Sequence, residues 1–333
     1  MKTVLFNFLC LLGIFGLSAS LTGCAGGGPS QTEIGYEFID SWGRKGSGSG
    51  EFNDPTGIAV SQDQVFVSDG RNSRIQVFDF EGNFKRQLRL PGDSGNNQAR
   101  PMNLAVHESE LYVADYFNDE ILIYSLAGKL LRSVGRPGTG PGEFNSPGGV
   151  AVSSAGDMFV ADFYNHRIQK LRPDGSFIRQ WGETARSGVG SGSFSYPTDV
   201  ALGPDGRLFV ADGYNDRVQV FGEDGAFETK WGGLFAMNVP GPFKGWFKTV
   251  TAVEVDASGR VFAVDFYNHR VQVFSRDGAF LTSFGKKGKG PGEFTFPMAI
   301  AVAGNGTVFV TDHGNSRIQV WRPKRPPSSA GTP

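Results

Sequence analysis

The sequence predicts an all-β fold, a six-bladed β-propeller of four-stranded antiparallel blades. Three observations lead there. A short apolar run ending in aspartate occurs six times, with anchors at Asp69, Asp115, Asp162, Asp212, Asp265 and Asp312 spaced 46, 47, 50, 53 and 47 residues apart. Around each anchor, further β-forming runs alternate with turn residues at fixed offsets, so each repeat reads as four strands in a meander. Composition agrees: 48 Gly and 18 Pro alone would suggest low complexity, but 29 Phe, 8 Tyr and 5 Trp supply far more core than a disordered chain carries. Four-stranded units with a period of about 40–50 residues are propeller blades.

The chain opens on an address. Lys2 precedes an apolar stretch, Val4 to Leu17, shorter than the roughly 20 residues of a comfortable transmembrane helix. Leu21-Thr22-Gly23-Cys24 follows. This resembles the lipobox of bacterial lipoproteins, in which the chain is cut before the cysteine and the sulfur carries a diacylglycerol. The resemblance implies that residues 1–23 are a signal peptide and Cys24 the lipidation site. Residues 24–35, rich in Gly, Pro and Ser, then form a flexible tether. The protein is expected to be exported and lipid-anchored to a bacterial membrane, in the periplasm or at the cell surface. Cys10 and Cys24 are the only cysteines, which excludes an intramolecular disulfide framework and a Cys-based zinc site.

The propeller is expected over residues 36–322. Asn stands three residues after every anchor, from Asn72 to Asn315, and Arg five residues after five of them: Arg74, Arg167, Arg217, Arg270 and Arg317. Blade two has Glu120 instead. A tight turn follows, as at Asp174-Gly175 or Asp277-Gly278, then a fourth strand ending in pairs such as Trp181-Gly182. A Gly-rich loop and a proline lead into the next first strand. The pattern V/A-D-x-x-N-x-R-I/V-Q-V-F resembles the NHL repeat, over nearly the whole mature chain and least well in blade two. The sixth copy lacks its fourth strand, while Tyr36 to Gly43 is an orphan strand beside no first repeat. Pairing it with Arg317–Trp321 closes the ring and removes an exposed edge. Residues 323–333, rich in Pro and Ser, are expected to form a disordered tail.

In a meander blade the fourth-to-first loops and the second-to-third turns share one face, and all variation in repeat length falls in those loops, so this is the expected binding face. The Asp/Asn/Arg sets occur in nearly every blade and are read as scaffold that ties down the turns. The loops Gly138–Phe144 and Gly288–Phe294 lack both the Gly-Lys-Ser/Thr ending and the following helix of a phosphate loop; their Phe residues are expected to plug gaps between blades. Two features break the symmetry. Seven of the twelve residues that directly follow the anchors are aromatic. Tyr116, Phe163, Tyr164, Tyr214, Phe266 and Tyr267, with His313 in blade six, therefore form a candidate crown. It either stacks on sugar rings and grips peptide side chains, or packs beneath the Gly-rich loops. The insertion Gly233–Lys248, with Phe235 and Trp246, is either a partner or membrane contact or a plug over the central channel.

A net charge of −1 offers no basic surface for nucleic acid. RNA-binding NHL domains use this same face, but an exported lipoprotein would not meet cytosolic RNA. Enzymes that resemble this chain suggest two tests. Lyases of the fold place His after the proline of the first strand; here that ring reads Thr56, Met102, Gly148, Thr198, Thr251 and Met298, with no good zinc ligand. Gluconolactonase-type propellers hold a divalent metal on inner carboxylate and Asn ligands. The next ring inward offers Asn103 and Asp199, a thin basis for Ca²⁺ or another divalent ion in the central channel, and no other cofactor is expected. No catalytic residue is assigned. The reading is a lipid-anchored extracytoplasmic binding or scaffold module for a protein, peptide or glycan of the cell envelope. The alternative is a propeller enzyme, lyase or lactonase in type, with an inner divalent metal.

Overall fold

The anchor runs become strands buried on both sides. In blade three, Met158–Asp162 and Arg167–Leu171 have no exposed residue, whereas Phe177–Trp181 buries only its last. Continuous rather than alternating hydrophobicity in the inner strands follows from this, because each sheet is covered by a neighbouring blade on both faces. The computed structural model describes residues 35–92, 98–222 and 224–324. The expected signal peptide, Cys24 and most of the tether, and the tail beyond residue 324, lie outside them. Among the described residues are six four-stranded antiparallel sheets, five pairing their strands in chain order and the sixth completed by the N-terminal strand, and one small two-stranded sheet. No helix there is long and apolar enough to cross a membrane.

Blade interfaces form the core. Phe159, Ile168 and Trp181 of blade three pack with Val200, Val210 and Phe221 of blade four around Phe194. Phe52, Phe144, Phe194 and Phe294 are all fully buried, filling the gaps between blades. The Asp-Gly turns also serve this packing. Gly175 has φ +86°, and a Cβ there would lie 2.8 Å from Cγ1 of Val134 in blade two, so glycine answers both the turn and the neighbour.

The ring closes with the N-terminal strand. Tyr36–Trp42 pairs antiparallel with Arg317–Pro323, from Tyr36 opposite Pro323 to Trp42 opposite Ile318. The last strand runs one residue beyond the expected boundary at 322, and Lys324 N–H still donates to Gly35 O (2.8 Å). The first strands line the central axis, each against the next, and Pro297–Val302 of blade six meets Pro55–Ser61 of blade one. First strands run from the loop-bearing upper face to the lower face. The described chain therefore enters at Tyr36 and leaves at Lys324 on the lower face.

Candidate functional site

Each repeated anchor aspartate is consumed by the scaffold. In blade three, Asp162 Oδ2 accepts from Arg167 Nε (2.7 Å), Asn165 Nδ2 (2.9 Å) and Gln169 Nε2 (3.1 Å), and Oδ1 from Asn145 N–H (2.7 Å). Arg167 donates onward to the carbonyls of Thr139, Gly140 and Glu143. The set thus rivets the second-to-third turn to the Gly-rich loop, and the same arrangement holds at Asp69, Asp212, Asp265 and Asp312. Blade two differs: Asp115 keeps Asn118 (2.7 Å), but Glu120 replaces the arginine, and burial first, then Asp115, pushes the Glu120 carboxyl up.

The Gly-rich loops hold an anion of their own. Glu143 folds back so that Oε2 accepts from Gly140 N–H (2.9 Å) and Oε1 from Arg136 Nε (3.0 Å), which lowers its pKa. A Cβ on Gly138 would stand 2.2 Å from Oε2. Glu51 and Glu293 do the same with Gly48 and Gly290. Where a phosphate would need amides, a side-chain carboxylate already lies.

Two histidines belong to clamps between blades. His166 Nδ1 accepts Tyr196 N–H and His269 Nδ1 accepts Phe296 N–H, both at 3.0 Å, while burial lowers both pKa values. Asp119 and Asp216 take the same backbone position from Ser146 and Thr249. Histidine is one of two residue types used for a blade-to-blade bond, so His166 and His269 form no joint site.

Above this scaffold the upper face opens into a funnel of about 430 Å³. Tyr116, Phe163, Tyr214, Phe266, Tyr267 and His313 line it, above a floor that includes Thr56, Met102, Asn103, Thr198 and Met298. The rings are not covered by the loops: Tyr214 is 54% and Tyr267 50% exposed. Tyr164, 45% exposed, stands on the rim with its ring edge-on to Phe163 at 5.0 Å. Tyr196 and Phe296, which the sequence reading did not single out, join the same wall. Phe163–Tyr196 centroids are 5.0 Å apart, Tyr196–Tyr214 4.9 Å, and Phe266–Phe296 stack at 5.0 Å. Floor hydroxyls are spent across blade boundaries: Thr56 Oγ1 donates to Pro101 O (2.7 Å) and Thr198 Oγ1 to Val250 O (2.8 Å).

The wall is one-sided. Blades two to five carry the aromatics that follow the anchors, and Phe296 at the start of blade six completes them; after their anchors blades six and one present His313-Gly314 and Gly70-Arg71, with Arg100 of blade two beside them. Arg71 pairs with Asp54 through Nε. Arg100 Nη2 and His313 Nε2 stand farther from that carboxylate, at 3.9 and 3.8 Å. Burial holds the His313 pKa below its ordinary value. Arg100, Tyr196 and Phe296 share one sequence signal, the position before the first residue of the first strand.

The insertion Gly233–Lys248 does not plug the channel. Phe235 is 78% and Phe243 64% exposed, and neither Phe235 nor Trp246 lines the funnel. Trp246 packs edge-on against Phe243 at 5.4 Å. The plug alternative is thereby removed, and the apolar loop stands on the outer part of the upper face.

Asn103 and Asp199 do come together below the funnel floor. Asp199 is enclosed, bonded to Asn103 and to Val253 N–H (3.1 Å), and burial pushes its carboxyl up to about 7. Glu254, further along the channel, is pushed up to about 8 by burial, then by Asp199 and Asp256. Calcium takes about six to eight oxygens. Among the described residues no three His, Cys, Asp or Glu side chains converge as a metal set, and Asp199 faces protein donors. Asn103 and Asp199 thus meet as a pair and supply by themselves fewer oxygens than such an ion takes.

Six meander blades, a closing strand and Asp/Asn/Arg rivets define a six-bladed β-propeller carrying NHL repeats. Family comparison agrees: an NHL repeat model matches residues 52–78, 144–171 and 194–221, and a 6-bladed beta-propeller model matches 246–321. The protein brain tumor of Drosophila melanogaster is 40% identical over 60 residues, 18% of this chain and 6% of that protein. Protein lin-41 of Caenorhabditis elegans is 49% identical over 47 residues, 14% and 4% of the two chains. The chain thus matches only a small part of the length of these curated relatives. Among solved structures, virginiamycin B lyase of Staphylococcus aureus superposes with TM-score 0.58 at 16% identity, covering 86% of this chain and 99% of that one. A gluconolactonase of Xanthomonas campestris gives 0.60 at 18%, covering 82% and 87%. A protein of unknown function from Bacteroides thetaiotaomicron gives 0.66 at 16%, covering 86% and 75%. At these identities the likeness is one of fold.

Proposed function

We propose that the chain is a lipid-anchored extracytoplasmic binding module whose funnel takes a protein, peptide or glycan ligand. One observation carries this reading: an aromatic wall, drawn unevenly from the blades and absent from blade one, stands partly open to solvent at the channel mouth. Rings kept for packing alone would lie under the Gly-rich loops. The first strand of the described chain starts on the lower face of the disc, opposite the funnel. The test pairs Tyr214→Ala with Tyr267→Ala and measures binding to arrays of defined glycans and peptides. Ligand stacked on two rings loses roughly 1–3 kcal/mol, while Tm moves little because exposed rings leave no sealed cavity. Unchanged binding to every ligand the wild type retains overturns the reading. For the anchor, Cys24→Ser should move the protein out of the acylated membrane fraction.

The second reading is a propeller enzyme of lyase or lactonase type. Fold likeness to the two enzymes above and the Asn103–Asp199 pair in the channel favour it. Metal analysis of the purified protein, wild type against Asp199→Asn, tests it: stoichiometric metal lost in the variant supports the enzyme reading.

A further inference from the structure

We infer that the group bound in the funnel is a small organic anion, at the end of a chain or free: a flat apolar body for the aromatic wall, with one negatively charged group directed to Arg100. This rests on the binding reading above and adds the ligand's charge and polarity. The lining holds no carboxylate; apart from tyrosine hydroxyls, its ionisable side chains are Arg100 and His313. His313 is held toward its neutral form by burial, leaving Arg100 as the charge. The carboxylate nearest to it, Asp54, is already in close contact with Arg71, and Arg100 stands 3.9 Å from it, beyond hydrogen-bond distance. The Arg100 guanidinium is aligned instead over the Phe117 ring, 5.5 Å from its centroid. It is held from below by its own backbone, whose N–H donates to Asp115 Oδ1 (2.9 Å).

Charge thus borders the aromatic wall at its blade-two end, where Tyr116 N–H donates to Arg100 O (3.0 Å). Lys248, over Tyr267 at 5.6 Å, adds a second positive group at the rim. A cation in this lining would stand near the guanidinium and meet no lining carboxylate; an uncharged body would leave the guanidinium partly desolvated with only its 3.9 Å ion pair to Asp54. A volume of about 430 Å³ suits a small molecule or the terminal residue of a chain. Both supply the same chemistry, a carboxylate, sulfonate or phosphate next to a ring. Arg suits it because its fork of donors remains charged at any physiological pH.

The experiment uses two fluorescent compounds with the same aromatic body, 8-anilinonaphthalene-1-sulfonate and the uncharged N-phenyl-1-naphthylamine. Both are titrated into a Phe235→Ser/Phe243→Ser background, so that the exposed loop takes neither dye. Arg100→Gln should weaken the sulfonate about tenfold and the neutral dye less than twofold, with Arg100→Lys recovering part of the loss. Tyr214→Ala should weaken both dyes. If Tyr214→Ala weakens both but Arg100→Gln weakens neither, the anion inference falls and the funnel reading stands. If Arg100→Gln weakens both equally, Arg100 only shapes the wall and the inference also falls. If Tyr214→Ala affects neither, the funnel reading fails and takes the inference with it. A second arm compares short peptides ending in Phe as the free acid and as the amide: preference for the acid identifies a chain terminus as one source, binding of neither assigns the site to free small anions, and equal binding of both counts against the anion inference.

Discussion

Arg217 has no exposed side-chain surface and five N–H groups, and each finds an acceptor: Asp212, Val189, Ala236, Gly190 and Ser193. Removing it strands a buried carboxylate and four carbonyls. Arg217→Met should therefore cost about 3–5 kcal/mol. Arg270→Met should cost less, because that side chain is 14% exposed and water can replace part of what is lost. Equal losses in urea unfolding would show that the rivet is not what stabilises each blade. Asp199 makes the opposite case, a carboxyl whose folded pKa is raised to about 7. Between its ordinary acidic value and 7 the folded state binds more protons than the unfolded chain. Stability from this group is thus fully present below about pH 4 and is lost as pH rises through 7. Asp199→Asn, which resembles the protonated acid, should raise Tm by roughly a few degrees at pH 8 and change little at pH 4. A gain that is the same at both pH values would place its origin outside titration.

The Gly-rich loop shows what a repeat makes legible and what it hides. Its failure to resemble a phosphate loop was plain from the missing Gly-Lys-Ser/Thr and helix. The buried Phe144 could be read from its recurrence with Phe52, Phe194 and Phe294. Glu143, beside it in sequence, had no assigned role, because no pattern says that a carboxylate turns back into the amides of its own loop. The Gln at anchor plus seven was likewise visible in every motif copy but one and had no assigned role until Gln169 met both Asp162 and Glu143 O. The coupling is testable. Gly138→Ala meets the Glu143 carboxylate and keeps a positive φ of 153°, for roughly 1–3 kcal/mol. Glu143→Ala loses charge-assisted bonds for about 1 kcal/mol. In the double variant the collision is gone, so the total should fall short of the sum by at least about 0.5 kcal/mol. Strict additivity would mean that loop and carboxylate act independently.

At the scale of the whole molecule, six-fold repetition made the fold readable and the site only half so. Anchors, turns and the missing sixth fourth strand are common features, and common features reveal themselves by period. Arg100, Tyr196 and Phe296 occupy one position in three blades with different chemistries, so period cannot mark them; asymmetry, which function needs, is what a repeat search averages away. Closure is the property that the period does settle. The Tyr36–Trp42 strand joins three blades: Tyr36 against Phe284 (5.0 Å) and Phe262 (5.6 Å) of blade five, Phe38 against Trp321 (5.8 Å) of blade six, and Trp42 against Phe78 (4.4 Å) of blade one. Three aromatic anchors at about 1.5–3 kcal/mol each amount to a large part of the roughly 5–15 kcal/mol that holds a domain folded. Deleting residues 36–43 should also leave the Arg317–Pro323 edge open to pair with another copy. The truncated protein should therefore melt far below the intact one and elute as oligomers. A synthetic peptide covering residues 35–43, added in excess, should restore the monomer and most of the Tm, since it refills the strand position without the covalent link. A truncated chain that stays monomeric and melts within about two degrees of the intact protein would show that the ring holds without its N-terminal strand.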